Sequence, residues 1–153
     1  MANLRAAVEK DIPALLGLAK RMHGESPRFS RLTFAPEKCE ALLQALTSGK
    51  VAGGVLVAEK AGIIVGMVAG FVVEHFFGIE KTASDLAIYV APEHRGGLIA
   101  AKLIRAFERL VRELGAVEVT LGISTELNVE RTVELYQGIG YRRSGVSMLK
   151  ELF

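Results

Sequence analysis

Paired cysteines, long apolar runs and a strong charge of one sign are all missing from this chain of 153 residues. Cys39 is the only cysteine, which excludes an internal disulfide scaffold and predicts a cytoplasmic protein with a buried thiol. The longest nearly pure apolar run, Ile63 to Val73, is shorter than the ~20 residues that a membrane-spanning helix needs. The N-terminal residues mix charges too early for an export signal, so no membrane association is expected.

The charge balance and the histidines exclude two further classes. The net charge is +2, which is less basic than a nucleic-acid binder requires but suits a small polyanionic ligand. His23, His75 and His94 have no Cys or His at metal-ligand spacing, so no metal site is predicted. Half of the residues are apolar and 24% are charged, a balance typical of a globular protein. The length predicts a single domain, residues 1–153.

Apolar periodicity and turn residues predict an α/β or α+β domain with a mixed sheet. The predicted strands are Leu4–Val8, Val55–Glu59, Ile63–Glu74, Thr82–Val90, Val117–Ile123, and one or two within Tyr141–Phe153. The predicted helices run from about Asp11 to Gly24 with Asp11 as cap, from Pro36 to Thr47, from Leu98 to Leu114, and from Val129 to Gly138. In the fourth strand Leu86, Ile88 and Val90 are expected on one face, and Asp85, Ala87 and Tyr89 on the other. Gly66 and Gly70 inside the third strand predict a bulge or the close approach of a neighbouring backbone.

One segment joins the end of a strand to the start of a helix through glycine. The strand ends at Ala91-Pro92, a turn carries Arg95-Gly96-Gly97, and the helix begins at Leu98. Free N–H groups at a helix N-terminus attract anions, glycines let a phosphate approach the backbone, and Arg95 adds a charged donor. A tight turn without any ligand has the same local pattern, so these residues alone leave both interpretations open.

The same segment resembles the acetyl-CoA-binding motif of the GNAT superfamily of N-acetyltransferases, whose core signature is Gln/Arg-x-x-Gly-x-Gly/Ala. The signature maps onto Arg95-Gly96-Gly97-Leu98-Ile99-Ala100, with Leu98 in place of the usual first glycine. A second stretch, from Asn128 through Tyr136 to Tyr141, resembles the family's Asn…Leu-Tyr-x-x-x-Gly-Phe/Tyr helix and strand. The spacing from Asn128 to Tyr136 is one residue longer than the commonest form. The order of elements agrees over nearly the whole chain.

This resemblance implies a GNAT-like, mostly antiparallel mixed sheet of six to seven strands flanked by about four helices. It implies acetyl transfer from acetyl-CoA to a primary amine of a small molecule or peptide, by direct attack on the thioester. Tyr136 is the expected proton donor to the departing thiolate. The implied cofactor-binding residues are Ile88, Tyr89, Val90, Arg95, Gly96, Gly97, Leu98, Ile99, Ala100, Ala101, Asn128 and Arg131.

Several alternatives stay open. The group that accepts the amine proton is one of Asp85, Glu74, His75 and Glu126, or a water relay. A non-catalytic acyl-CoA-binding module of the same fold would not need Tyr136, and a partner-binding α/β protein would have no cofactor affinity. The apolar segment Val146–Leu149 predicts a homodimer that pairs across a strand edge.

Overall fold

A computed structural model describes all residues, 1–153, and contains one mixed sheet of five strands. The strands are β1 (Asn3–Ala6), β2 (Gly53–Lys60), β3 (Ile63–Glu74), β4 (Lys81–Val90) and β5 (Ala116–Thr120). They lie in the order β1-β2-β3-β4-β5, with β1 to β4 antiparallel and β5 parallel to β4. The predicted mixed α/β sheet is confirmed, but the prediction of six to seven strands is wrong.

Four helices and three short 3-10 turns accompany the sheet. The helices are α1 (Ile12–Glu25), α2 (Pro36–Thr47), α3 (Ile99–Glu113) and α4 (Val129–Gly138). The 3-10 turns are Glu9–Asp11, Phe29–Arg31 and Pro92–His94. Helices α1 and α2 pack on one face of the sheet, where Leu15 and Leu46 meet Met67. Helix α3 packs on the other face, where Leu103 and Phe107 meet Val68.

The chain after α4 forms no strand. Residues 141–153 have no regular secondary structure, and Val146, Met148, Leu152 and Phe153 are each about 90% exposed. The predicted closing strands within Tyr141–Phe153 are therefore wrong, because a strand needs a neighbour for its backbone hydrogen bonds and this segment has none. Sequence alternation alone does not supply that neighbour.

Two predicted boundaries and one predicted cap also differ. Strand β5 ends at Thr120, short of the predicted Ile123, and β1 ends at Ala6 because the chain turns into a 3-10 helix. Asp11 does not cap α1. Its carboxylate accepts the Val8 N–H at 2.8 Å and the Arg5 guanidinium at 2.7 and 3.0 Å. The side chain of Asp11 thus serves the preceding turn and the sheet edge instead of the helix.

A β-bulge at Leu86 reverses the side-chain alternation of β4. The pairing with β3 shifts between Ala87 and Asp85, which leaves Leu86 without a partner. Tyr89 and Ala87 share one face as predicted, which is the α1/α2 face, whereas Ala83, before the bulge, packs in the α3 core. Because Asp85 lies two residues after Ala83, it shares the α3 face. The prediction that Asp85 lies on the same face as Ala87 and Tyr89 is wrong.

Candidate active site

Strand β5 pairs along its whole length with only the first part of β4. Lys81–Ser84 pairs with Ala116–Thr120, and no pairing continues beyond these residues. From Asp85 to Val90 the side of β4 that faces away from β3 has no strand partner. The resulting wedge leaves backbone groups of β4 free to pair with an extended ligand, as an added strand would.

A cavity of about 500 Å³ occupies this end of the wedge, between β4, the N-terminus of α3 and α4. Its lining includes most of the predicted cofactor-binding residues and the predicted acid: Ile88, Tyr89, Val90, Arg95, Gly96, Gly97, Ile99, Ala100, Asn128, Arg131 and Tyr136. Leu98 and Ala101 do not line it. Met22 and Glu25 of α1 do line it, and no sequence motif identified them.

The backbone N–H groups from Gly96 through Ala101 donate to no acceptor within the protein. The neighbouring N–H groups are used: Arg95 donates to Pro92 O at 3.3 Å and Lys102 to Leu98 O at 3.0 Å. The free groups lie at the N-terminus of α3, where the helix dipole is positive. Gly96 has a φ of 91°, a conformation that favours glycine. This array fits a phosphate or pyrophosphate.

Leu98 does not obstruct the array. Its side chain is 68% exposed and lies outside the cavity lining, and its φ of −97° is ordinary for leucine. The position therefore needs no glycine in this chain. Gly97 is open on its Cβ side, with no atom within 4 Å of a built Cβ.

Two arginines flank the array, and they differ in their partners. Arg131 of α4 places Nη2 3.9 Å from the position of a Cβ built on Gly96, and it forms no ion pair. Arg95 donates from both terminal nitrogens to Glu25, at 3.0 and 2.9 Å, and from Nε to Val90 O at 2.7 Å. Of the two, only Arg131 is a cation without a protein counter-ion.

Tyr136 is 9% exposed and lies on the cavity wall. Its hydroxyl donates to Gly122 O across a long 3.4 Å hydrogen bond. Burial, with a smaller contribution from the nearby Asp85 carboxylate, raises the pKa of Tyr136 above its usual range. The phenol therefore stays protonated at neutral pH and, being loosely held, can donate its proton to a thiolate that forms beside it.

The two predicted carboxylate bases lie in different places. Asp85 is half-buried, and its Oδ1 accepts the Gly122 N–H at 2.8 Å. Burial raises the pKa of the Asp85 carboxyl. The Gly122 peptide thus links Asp85 to Tyr136, although Asp85 does not line the cavity. Glu74 is exposed at the end of β3 opposite Lys81 and also outside the cavity, so the structure does not bring it near Tyr136.

A buried serine ties the loop after β5 to the end of α1. Ser26 is fully buried, and its Oγ donates to Thr125 O at 2.7 Å and accepts the Phe29 N–H at 3.0 Å. Thr125 lines the cavity, and the same loop holds Glu126 and Asn128 at positive φ. The sequence carries no signal for this tie, since Ser26 is distant from Thr125 along the chain.

The composition also predicts no metal site, no membrane-spanning helix and a buried thiol. No group of three or more His, Cys, Asp and Glu side chains is arranged to hold a metal ion. None of the helices combines the length and the apolar character needed to cross a bilayer. Cys39 on α2 is half-buried, so the expectation of a buried thiol is only partly met.

Comparison with known proteins identifies a family over most of the chain. The model of the acetyltransferase (GNAT) family matches residues 19–141. The chain is 32% identical over 103 residues to N-acetyltransferase family 8 member 2 of Rattus norvegicus. It is 31% identical over 104 residues to the probable N-acetyltransferase family 8 member 5 of Mus musculus. Each match covers 65% of this chain and 45% of the relative, so the chain spans about half the length of these curated relatives.

Solved structures share the fold over nearly the full chain. The aminoglycoside N-acetyltransferase AAC(6')-Iy in complex with CoA superimposes with a TM-score of 0.79 and 16% identity, covering 99% of this chain and 95% of that one. The ribosomal-protein-alanine N-acetyltransferase of Brucella melitensis biovar Abortus 2308 gives a TM-score of 0.76 and 20% identity, covering 99% of each chain. At these identities the likeness concerns the fold alone.

Proposed function

The chain belongs to the GNAT acetyltransferase family, and from that premise we propose that it transfers an acetyl group from acetyl-CoA to a primary amine. One observation carries the proposal. Gly96, Gly97, Ile99 and Ala100, which carry free N–H groups, line one wedge-shaped cavity together with Tyr136. Groups that suit an anion and a proton donor in one cavity fit a polyanionic thioester that loses a thiolate.

In this proposal the N-terminus of α3 binds the pyrophosphate through its backbone N–H groups. The backbone of Ile88, Tyr89 and Val90 pairs with the extended pantetheine arm in the wedge, apart from Val90 O, which accepts from Arg95 Nε. Arg131 and Asn128 of the opposite wall complete the cofactor site. Leu98 and Ala101 do not line the cavity, so in this proposal they contribute no side chain, only main-chain N–H groups that have no acceptor within the protein.

The reaction itself is a direct displacement. The neutral amine attacks the thioester carbonyl carbon, so an N–C bond forms and the C–S bond breaks. The nitrogen then loses a proton, and the departing thiolate gains one from Tyr136. An outward N–H of β4 supplies a hydrogen bond to the carbonyl oxygen while charge develops there.

Asp85 is the side chain that we propose as proton acceptor for the amine, with a water relay as the alternative. Its raised pKa makes the carboxylate a stronger base than an ordinary aspartate. Because Asp85 does not line the cavity, a proton reaches it from the acceptor through an intervening water in this proposal. Glu74 is left out of the proposal because of its exposed position on β3.

A non-catalytic acyl-CoA-binding module is the second candidate function. It would use the same N–H array but would have no use for a protonated phenol on the cavity wall. Tyr136 in that wall, with its loosely held hydroxyl, therefore favours the enzyme. Turnover decides between the two.

The first experiment is a thermal shift assay with CoA and acetyl-CoA. A ligand that binds only the native state raises the melting temperature. At a concentration one hundred times its Kd it adds ~2.7 kcal/mol to the free energy of unfolding. We expect both compounds to stabilise the protein and adenosine, which lacks the phosphates, to have little effect. If neither acetyl-CoA nor CoA shifts the melting temperature at millimolar concentration, the proposed cofactor site is contradicted.

The acceptor is then found by a screen read by release of free thiol. Polyamines, amino acids, aminoglycosides and peptide α-amines are the classes to test, because the acceptor is proposed to be a small-molecule or peptide amine. Two of these classes correspond to the names of structural neighbours, an aminoglycoside acetyltransferase and a ribosomal-protein-alanine acetyltransferase. We propose further that residues 1–153 act as one domain, that the protein is cytoplasmic and that it forms a homodimer.

A further inference from the structure

Two ion pairs of opposite polarity join α1 to the segment between β4 and α3. Arg21 of α1 donates to both carboxylate oxygens of Glu93, at 3.1 and 2.8 Å. One turn further along α1, Glu25 accepts from both terminal nitrogens of Arg95, at 3.0 and 2.9 Å. The two pairs have the same bidentate geometry, but only Glu25 and Arg95 line the cavity.

The Arg95 side chain is held on three sides. Its terminal nitrogens meet Glu25, its Nε donates to Val90 O at 2.7 Å, and its guanidinium carbon lies 5.1 Å from the centroid of the Tyr89 ring. Val90 is the last residue of β4 and Tyr89 precedes it. Arg95 therefore fixes the end of the strand on which the cofactor arm is proposed to lie.

The hydroxyl of Tyr89, whose ring lies beneath the Arg95 guanidinium, is shielded from solvent. It is buried without a hydrogen-bond partner, and Tyr89 as a whole is 5% exposed. Burial, together with the neighbouring Glu25 carboxylate, raises the pKa of Tyr89 to about 12. Glu25 in turn keeps its charge, because the Arg95 guanidinium lowers the pKa of that carboxyl.

We propose that Glu25 is a positioning residue of the cofactor site, and that Arg95 is a strut between α1 and the end of β4, not a ligand of the cofactor's phosphates. Arg131 is then the side chain that meets the phosphate charge, because it lies over Gly96 without a carboxylate partner. This inference rests on the proposed function and assigns separate roles to the two arginines of the site.

The physical reason lies in the donor geometry of arginine. A guanidinium presents its N–H groups in a fixed planar fork, which matches a carboxylate in bidentate fashion. In Arg95 the fork faces Glu25 and the Nε–H faces Val90 O, so those donors already have acceptors. A lysine keeps the charge of arginine but lacks both the fork and the Nε–H. An Arg95→Lys variant therefore separates the strut from a simple charge.

The test measures the Kd of CoA by isothermal titration calorimetry for Glu25→Gln, Arg95→Lys, Arg95→Gln and the double variant Glu25→Gln/Arg95→Gln. We expect each single change to raise Kd by about two- to fivefold, the effect of losing one partly exposed ion pair. The double variant should bind no worse than the weaker single variant, because both changes remove the same strut. Arg131→Gln should raise Kd by more than about tenfold, as expected when a charged hydrogen bond is lost.

Glu93→Gln is the matched control. It removes the same kind of bidentate pair from the same two elements, but outside the cavity, so it should alter the melting temperature without changing the Kd of CoA. If the role of Glu25 were purely structural, Glu25→Gln would behave like Glu93→Gln and change the melting temperature without changing the Kd of CoA. With an identified acceptor, Glu25→Gln should raise KM for acetyl-CoA and leave kcat unchanged.

The inference is overturned if Arg95→Lys binds CoA as the wild type does while Arg95→Gln loses more than tenfold, since a charge on the phosphates would then explain Arg95. Tighter CoA binding by Glu25→Gln would overturn it too, because Glu25 would be a competitor of the phosphates. Should Arg95→Gln not fold, Glu25→Gln and Arg95→Lys still decide the question. Failure of the wild type to bind CoA would contradict the proposed function, and this inference with it.

Discussion

Among single residues, Tyr136 is the side chain that the proposed chemistry depends on most. Its hydroxyl makes one hydrogen bond, 3.4 Å long, and its raised pKa keeps it protonated. We expect Tyr136→Phe to lower kcat and kcat/KM together by about 10²–10⁴-fold, because the lost proton donor acts in the transition state. The ring and its packing remain, so affinity for CoA and the melting temperature should stay close to wild type. Steady-state kinetics with an identified acceptor make the comparison.

Tyr141→Phe is the control for this experiment. The two rings are 6.0 Å apart, but the Tyr141 hydroxyl donates to Glu108 at 2.9 Å and does not border the cavity. Turnover of Tyr141→Phe should therefore stay within a few-fold of wild type. If Tyr136→Phe retained wild-type kcat while chemistry limited the rate, Tyr136 would be a packing residue and water would protonate the thiolate.

Asp85 gives a prediction for the pH dependence of stability. Burial raises the pKa of its carboxyl in the folded state, so ionising it opposes folding as the pH rises through that pKa. Asp85→Asn removes this cost and retains an oxygen that can accept the Gly122 N–H. We expect the variant to melt at a higher temperature than wild type at pH 7, and the difference to shrink as the pH falls below the titration range of the carboxyl. Thermal melts from pH 3 to 8 record it.

The same variant tests the proposed base. If Asp85 accepts the amine proton through a water, Asp85→Asn loses activity by about 10²-fold or more while it gains stability. Wild-type kcat in this stabilised variant would assign deprotonation of the amine to a water relay without Asp85.

At the scale of elements, the N-terminus of α3 is the part of the fold on which the proposed cofactor binding depends. Gly97→Glu places a carboxylate among N–H groups that await an anion, and a side chain fits because the Cβ side of Gly97 is open. We expect the variant to fold and to lose CoA binding altogether, as measured by calorimetry. Gly17→Glu makes the same change at an open, exposed position of α1 and should bind normally. Undiminished affinity of folded Gly97→Glu would remove this loop from the site.

The central strands carry a steric prediction. A Cβ on Gly70 would overlap Ser84 O and would lie 2.5 Å from Cζ of the Phe107 ring. The expectation of a close neighbour at this glycine is met, since β3, β4 and α3 come together at the bulge. We expect Gly70→Ala to lower the free energy of unfolding by about 1–3 kcal/mol, as overpacking does. Urea unfolding measures it, with Gly138→Ala, an open position at the end of α4, as a control that should not destabilise.

For the whole molecule, the C-terminal segment and the edge of the sheet expose apolar side chains that a second protein chain could cover. Val146, Met148 and Leu152 are about 90% exposed, and β5 is an edge strand whose Val117 is 67% exposed. Unpaired edges and exposed apolar segments commonly mark association. We expect a homodimer, with twice the monomer mass of 16.5 kDa in light scattering at micromolar concentration.

Variants in the same segment test this association. Val146→Lys puts a charge on an apolar side chain of the predicted contact and should shift the mass towards the monomer. Ser147→Lys adds the same charge at the adjacent polar position and should leave the dimer in place. A wild-type protein that is monomeric at micromolar concentration would contradict the prediction and leave the exposed segment unexplained.

Much of the fold follows from the sequence alone. The bounds of β3, α2 and α4 agree with the periodicity, and the glycine pair before α3 lies where the array of free N–H groups forms. These features are local: a helix or strand pattern repeats within a few residues, and Gly96, without a Cβ, adopts its positive φ at no steric cost. The family motif adds the positions that border the cavity, because it places Arg95, Asn128 and Tyr136 relative to those same local elements.

The rest required the tertiary structure. The bulge at Leu86 turns Asp85 to the α3 face, and the alternation of side chains in the β4 sequence does not predict this bulge. Glu25 meets Arg95 across 70 residues of sequence, and Ser26 meets Thr125 across 99. Such contacts depend on how the helices pack on the sheet, so local patterns in the sequence do not predict them. The segment after Tyr141 shows the same limit, because alternation predicts which residues can form a strand, whereas a strand exists only where another backbone lies beside it.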